Sequence, residues 1–141
     1  MYTTQTPTFR IGDIYMMQFS GTGSEQNGWR PGLVFQNNTG CLFSPNLIVL
    51  PLTSSLKKLG QPTHVLVKAD EANLKRDSMI LCENPERISK SKVGRYISSL
   101  SNEVMKRVAE ASLLASSAIS LLSPADLMAA YGRAVRLNSI R

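Results

Sequence analysis

Five short runs of apolar and β-branched residues recur through the first hundred positions of the chain. They are "IGDIYMMQF" (11–19), "GLVFQ" (32–36), "NLIVLPL" (46–52), "THVLV" (63–67) and "SMILCE" (78–83). Clusters of Gly, Pro, Asn and Ser bound them, the punctuation of strands joined by turns. The spacing predicts a small barrel or sandwich rather than alternating βα units, with "RYISSL" near position 96 as the last strand. From Ser101 the period changes. In "SNEVMKRVAEASLLA" the apolar positions Val104, Met105, Val108 and Ala109 recur at helical spacing, with Ser101 as N-cap and Glu103 at the positive end of the helix dipole. A second helix is marked by "SPAD": Ser123 caps, Pro124 takes the first helical position and Asp126 completes a capping box. Its apolar face, Leu127, Met128, Tyr131, Ala134 and Val135, needs a surface to pack on: the barrel, a second subunit or a partner.

The strand pattern places two polar residues together. Folding the chain about the middle of "NNTGCLFSPN" (37–46) sets the strands on either side as an antiparallel pair, and position 30 then faces position 53. Arg30 and Thr53 should meet at one end of the sheet, under the polar loop "GTGSEQNGW". An arginine fork, a hydroxyl and a polar loop at a barrel rim suit a phosphate. Pro31 biases Arg30 toward an extended backbone.

Composition narrows the chemistry. The 141 residues fit one domain, and 43% apolar content is enough for a core. A net charge of +6 fits a polyanionic partner, RNA or DNA, as well as it fits a merely soluble basic protein. Cys41 and Cys82 lack metal-ligand spacing, so a structural zinc site is excluded and both read as free thiols of a reduced cytosol. His64, the single histidine, sits in a strand-like run with no evident acid–base partner and reads as structural. "GTGSEQNG" lacks the lysine and helix of a phosphate-binding loop, and there is no GxSxG elbow. The N-terminus has no apolar core of a signal peptide, and "SLLASSAISLL" is too short and serine-rich to span a bilayer. These features leave an enzyme without metal or histidine, or no enzyme, in the cytoplasm.

At these residues the chain resembles a known family. "GDIY", "GSEQNGWRPGLVFQN", "SPNLIVLPLTS", "PTHV" and "RDSMILCENPERIS" occur in the order and spacing of the MazF/PemK toxin endoribonucleases, closest to the branch of Gram-positive bacteria. The resemblance covers about residues 9–116, with 1–8 as a flexible N-terminus and 117–141 as a helical extension beyond the family pattern. It implies a mainly β fold with α elements, an SH3-like small β-barrel (MazF/CcdB/Kid-like) with short helices. It also implies a homodimer whose groove holds single-stranded RNA, cut without metal or other cofactor to 2′,3′-cyclic phosphate and 5′-hydroxyl ends, and a MazE-like antitoxin as inhibitor. Residue by residue, Arg30 and Thr53 match the family's catalytic pair. Ser24, Glu25, Gln26, Asn37, Ser78 and Glu83 match RNA-contacting positions, and Asn84 stands where close relatives carry glutamine. A catalytically silent RNA-binding module and a non-nuclease toxin of the same fold are the alternatives; the intact Arg30–Thr53 pair favours the nuclease. Trp29 is not assigned by the resemblance: it either packs at the barrel rim or offers a stacking face to a base.

Overall fold

The computed structural model describes residues 8–20, 28–57 and 60–139; the expected flexible N-terminus, apart from Thr8, and the Ser24–Gln26 loop lie outside them. Along the chain run β1 (Asp13–Gln18), β2 (Trp29–Val34), α1 (Asn38–Phe43), β3 (Asn46–Thr53), β4 (His64–Val67) and α2 (Ala69–Ala72). They are followed by β5 (Ser78–Leu81), β6 (Glu86–Ser89), β7 (Val93–Ser99), α3 (Asn102–Ser116) and α4 (Pro124–Leu137).

All the strands pair antiparallel, in the order β4-β5-β3-β2-β1-β7, with β6 also on β3. β3 is shared. Its first half pairs with β6 (Asn46↔Ser89 to Val49↔Glu86), and its last residues pair with β5 (Leu52↔Ile80, Thr53↔Met79). Between them it keeps β2 on its other edge through Gly32↔Pro51, Leu33↔Leu50 and Val34↔Val49. The sheet curls into an open, SH3-like barrel. Between the end strands sits α2: Ser98 on β7 donates its hydroxyl to the Ala72 carbonyl, and the Asn73 amide donates to Ile97 at 3.3 Å. Asn73 takes the left-handed conformation (φ 53°) that ends this one-turn helix, a backbone state asparagine tolerates well.

Both faces of the central strands are buried, which is why their sequences read as continuous apolar runs. One face, with Ile14, Leu33, Leu50, Leu52, Val65, Val67 and Ile80, packs under Val104, Val108 and Ala111 of α3. The other, with Tyr15, Met17, Val34, Leu47 and Val49, forms a second cluster with Phe9, Phe19 and Ile88. Gly32 makes this packing possible, since a Cβ there would come within 2.6 Å of the Met17 sulfur.

The helix signals hold. Ser101 accepts from the Val104 amide, and Ser123 with Asp126 forms a reciprocal capping box behind Pro124. The Ser123 backbone N–H above all, together with the Ser123 hydroxyl, holds the Asp126 carboxyl below its ordinary range. Two details differ from the sequence reading. The buried stripe of α3 uses Ala111 rather than Ala109, which is exposed, because Val104, Val108 and Ala111 follow one line of the helix at i, i+4 and i+7. The face of α4 is not covered: Met128, Tyr131 and Val135 are exposed, while Leu127, Ala130, Tyr131 and Ala134 look across an open groove of about 880 Å³ toward Phe35, Ile48 and Leu50. The end of α4 is tethered to α1, where Asn138 accepts from the Asn38 amide (2.9 Å) and Thr39 donates to the Leu137 carbonyl (2.7 Å).

Leu50 is 1% exposed at the middle of the shared strand. Truncation to alanine leaves a cavity that neighbouring strands cannot close. We expect Leu50→Ala to lower stability by about 2–5 kcal/mol in urea unfolding, whereas Leu121→Ala, at a position 82% exposed, should leave it nearly unchanged.

Candidate active site

The cleft opens where β3 leaves β2. Their ladder covers Gly32↔Pro51 to Val34↔Val49, and from Leu52 onward β3 pairs only with β5, on its other edge. Continued past Gly32, the same register faces Arg30 with Thr53, and both line one cleft of about 520 Å³. Sequence reasoning had set these two residues together, and the geometry bears that out. Trp29 and Pro31 of β2, Ser54, the segment Asn73–Arg76, Ser78 of β5 and Arg95 of β7 complete much of the lining.

Arg30 is half-buried, and its guanidinium carbon lies 4.9 Å from the ring centroid of Phe19, itself 3% exposed. The aromatic face adds a cation–π attraction that helps hold the guanidinium in place. Asp13 is a buried carboxylate that accepts from the Arg10 amide (3.0 Å) and the Ser99 hydroxyl (2.7 Å). Thr53 ends its strand in a hydroxyl turn: Oγ1 accepts from the Ser55 amide at 3.1 Å, which leaves the O–H hydrogen to donate into the cleft. Ser78 is buried in the cleft wall and donates to the Arg76 carbonyl at 3.0 Å, so it holds the segment that carries Lys75 and Arg76. Asp77 secures the same segment from outside. It accepts from the Ala69 amide (2.8 Å) and pairs with Lys68 (3.3 Å), and the Ala69 bond above all lowers its pKa.

The remaining candidates separate from the cleft. Asn37 lies beyond the far end of β2, roughly 20 Å along the strand direction from Arg30, and its side chain caps α1 by accepting from the Gly40 amide at 2.8 Å. Glu83 and Asn84 follow β5 at the end away from Ser78, in a turn closed by the Asn84 amide on the Leu81 carbonyl. Glu83 does meet a partner, but it is His64 at 2.6 Å. His64 is therefore not the histidine without an acid–base partner that its sequence context suggested; antiparallel pairing of β4 with β5 (His64↔Leu81) carries the turn after β5 back to it. Sequence reasoning also missed Lys75, Arg76 and Arg95 in the cleft. The only signal was the basic pair in "NLKRD", which reads equally as a solvated turn.

Among the lining residues four are cationic and none is a carboxylate. No group of three or more His, Cys, Asp or Glu positioned to hold a metal occurs among the described residues. Nor is a cysteine nucleophile at hand. Both thiols are buried, and burial pushes each up to about 11. What the cleft presents is a half-buried guanidinium, a hydroxyl donor and three further cations, the groups that bind phosphate oxygens.

A small open barrel whose cleft carries four cations belongs to the class of proteins equipped to meet a polyanion rather than a small neutral substrate. The comparisons specify it. Residues 10–114 match the family model described as PemK-like, MazF-like toxin of type II toxin–antitoxin system. The chain is 43% identical over 101 residues to Endoribonuclease EndoA of Bacillus subtilis, covering 71% of this chain and 87% of that protein. It is 38% identical over 100 residues to Endoribonuclease MazF of Staphylococcus saprophyticus, covering 70% and 83%. Its fold is similar to Mycobacterium tuberculosis toxin MazF-mt6 (TM-score 0.62, 26% identity, 73% of this chain and 94% of that one). It is similar also to a MazE–MazF structure from Deinococcus radiodurans (TM-score 0.64, 20% identity, 83% and 100%). The chain belongs to the PemK-like, MazF-like toxin family of type II toxin–antitoxin systems.

With thiol pKa values of about 11, the reactive thiolate is scarce until the pH approaches that value. Iodoacetamide at pH 8 should leave Cys41 and Cys82 unlabelled in the folded protein and label both in urea, read by mass spectrometry.

Proposed function

We propose that this toxin is an endoribonuclease that cuts single-stranded RNA within short sequence motifs, without a metal, at the cleft between β2 and β3. The observation that carries the reading is that Arg30 and Thr53, on adjoining strands, line one cleft with three further cations and no carboxylate. Among the described residues the lining is cationic, and cations so placed can take up the charge that develops on a phosphate without a divalent ion.

The reaction is an internal transesterification. The ribose 2′-oxygen attacks the adjacent phosphorus, its proton leaves, and the bond from phosphorus to the 5′-oxygen breaks as that oxygen gains a proton. The products are a 2′,3′-cyclic phosphate and a 5′-hydroxyl. Arg30 stabilises the dianionic phosphorane and assists proton delivery to the leaving oxygen, while Thr53 donates to the phosphate and orients the 2′-hydroxyl. No side chain with an ordinary pKa near 7 lines the cleft, so position and electrostatics supply most of the rate. Ser78 shapes the cleft wall. Ser24, Glu25 and Gln26 also contact the RNA, and Asn37, Glu83 and Asn84 contact nucleotides farther from the scissile phosphate.

The toxin acts as a homodimer in the cytoplasm, where its substrate is mRNA and a MazE-like antitoxin restrains it. Exposed Phe43, Ile48, Leu113 and Leu114 support pairing of two copies, and no helix among the described residues is long and apolar enough to cross a membrane. The Deinococcus relative was solved with MazE.

Purified protein incubated with a long RNA in EDTA should cut it, leaving 5′-hydroxyl ends that polynucleotide kinase labels without prior phosphatase. Arg30→Ala should lower the rate about 10²–10³-fold, with urea midpoints checking that the fold is intact. Cutting that requires added magnesium, or Arg30→Ala at the wild-type rate, refutes the mechanism; RNA bound but never cut selects the silent binding module.

A further inference from the structure

Trp29 is the single tryptophan of the chain, lines the cleft, and is 44% exposed. Tryptophan carries a large apolar face with a polar edge, a combination enriched where proteins meet their partners. Its position in the strand is specific. Consecutive residues of a strand point to opposite faces, so Trp29 approaches the cleft from the side of β2 opposite to Arg30. β2 pairs with β1 (Gln18↔Trp29), and β1 pairs with β7 (Met17↔Val93). The indole reaches across β1 to β7 and lies against Gly94. A Cβ on Gly94 would stand 3.0 Å from Trp29 Cζ3 and 3.2 Å from the Met16 carbonyl, closer than nearly all real contacts. A glycine here lets the ring settle onto the backbone of β7, while the rest of the ring stays open to the cleft. The next residue, Arg95, is exposed and lines the same cleft.

An aromatic ring seated on a sheet beside cations is the arrangement by which proteins hold single-stranded nucleic acid: the ring takes a base, the cations take phosphates. We propose that Trp29 is a stacking platform for the nucleobase beside the phosphate held by Arg30 and Thr53, and that Arg95 binds the phosphate that follows. The proposal deepens the RNA-cleaving reading and rests on it for the identity of the ligand. Trp29 is a binding residue, and Gly94 positions it.

Because Trp29 is the only tryptophan, its emission reports this site alone. The probe is a 2′-deoxy oligonucleotide of mixed sequence, which has no 2′-hydroxyl to attack and so is not turned over. Its binding is followed in parallel by anisotropy of a terminal dye. Saturable quenching of Trp29 emission, tracking the anisotropy curve, is expected. Trp29→Ala should weaken binding by roughly 10- to 100-fold, Trp29→Phe should restore most of it, and Arg95→Gln should lower the slope of log affinity against log salt by about 1. Gly94→Ala should weaken binding and shift the emission maximum, as the ring is lifted off β7. Urea midpoints of the variants separate these effects from loss of fold.

Binding without a change in Trp29 emission, or wild-type affinity in a folded Trp29→Ala, overturns the platform even if RNA is cut. Quenching with no RNA cleavage by the wild type keeps the platform and removes the nuclease reading. No binding of the oligonucleotide by the wild type removes the platform.

Discussion

The one constraint on which the rest of the molecule depends is that β3 has too many neighbours to lie flat. Over eight residues it serves β6, β2 and β5. A strand has two hydrogen-bonding edges, so β5 and β6 divide one edge between them while β2 holds part of the other. The strand therefore bends from one half of the sheet to the other, and the sheet curls. Leu47 and Val49 go to one apolar cluster, Leu50 and Leu52 to the other. At the bend β2 loses its partner, and the gap that opens there is the cleft. The catalytic pair of the proposed mechanism stands at that gap because β2 brings Arg30 to one lip and β3 brings Thr53 to the other.

The cations of the cleft are not equivalent. Arg30 is half-buried and held over Phe19, whereas Lys75, Arg76 and Arg95 are exposed. Exposed charges are hydrated and screened by salt over about a Debye length, so they attract and track a polyanion without fixing an atom. A partly desolvated guanidinium held against an aromatic ring acts over short distances in a lower dielectric and costs little reorganisation when charge develops before it. Burial, not charge count, distinguishes the residue suited to a transition state from those suited to binding. Ser78 and Asp77 then acquire a clear part: they hold the backbone of the Lys75–Arg76 segment at the rim.

Much of this was legible in the sequence, for reasons that mark its limits. The β2–β3 register could be read because the connection is bounded by two strong apolar runs, and the observed ladder has the expected pairing. The α4 capping box was legible because its signals are local and chemical. α1 was not: "NTGCLF" has a glycine and spans six residues, so it reads as the turn it mostly is. β6, at "ERIS", has a single buried apolar residue, Ile88, and exists because β3 offers it an edge. The His64–Glu83 pair and the gathering of Arg95 with Arg76 are products of topology. No local pattern announces residues that meet because β4, β5 and β7 curl toward one another.

The extension beyond the family match bears on the same division. α3 ends at Ser116, and the chain returns through α4 to set Asn138 on the start of α1. That start is the segment capped by Asn37, and the groove under α4 is lined also by Glu83, Pro85 and Cys82. The extension thus neighbours the far set of candidate RNA contacts and stands away from Arg30 and Thr53, none of whose cleft-lining companions belongs to α4. A helix placed there has no direct means of altering the chemistry at the scissile phosphate. Its influence is confined to what happens at the α1 end of the sheet, where residues such as Asn37 have their side chains already committed to holding the backbone. The two ends of one barrel are therefore shaped by different elements: the cleft end by the divergence of β2 and β3, the other by the contacts of α4 with α1.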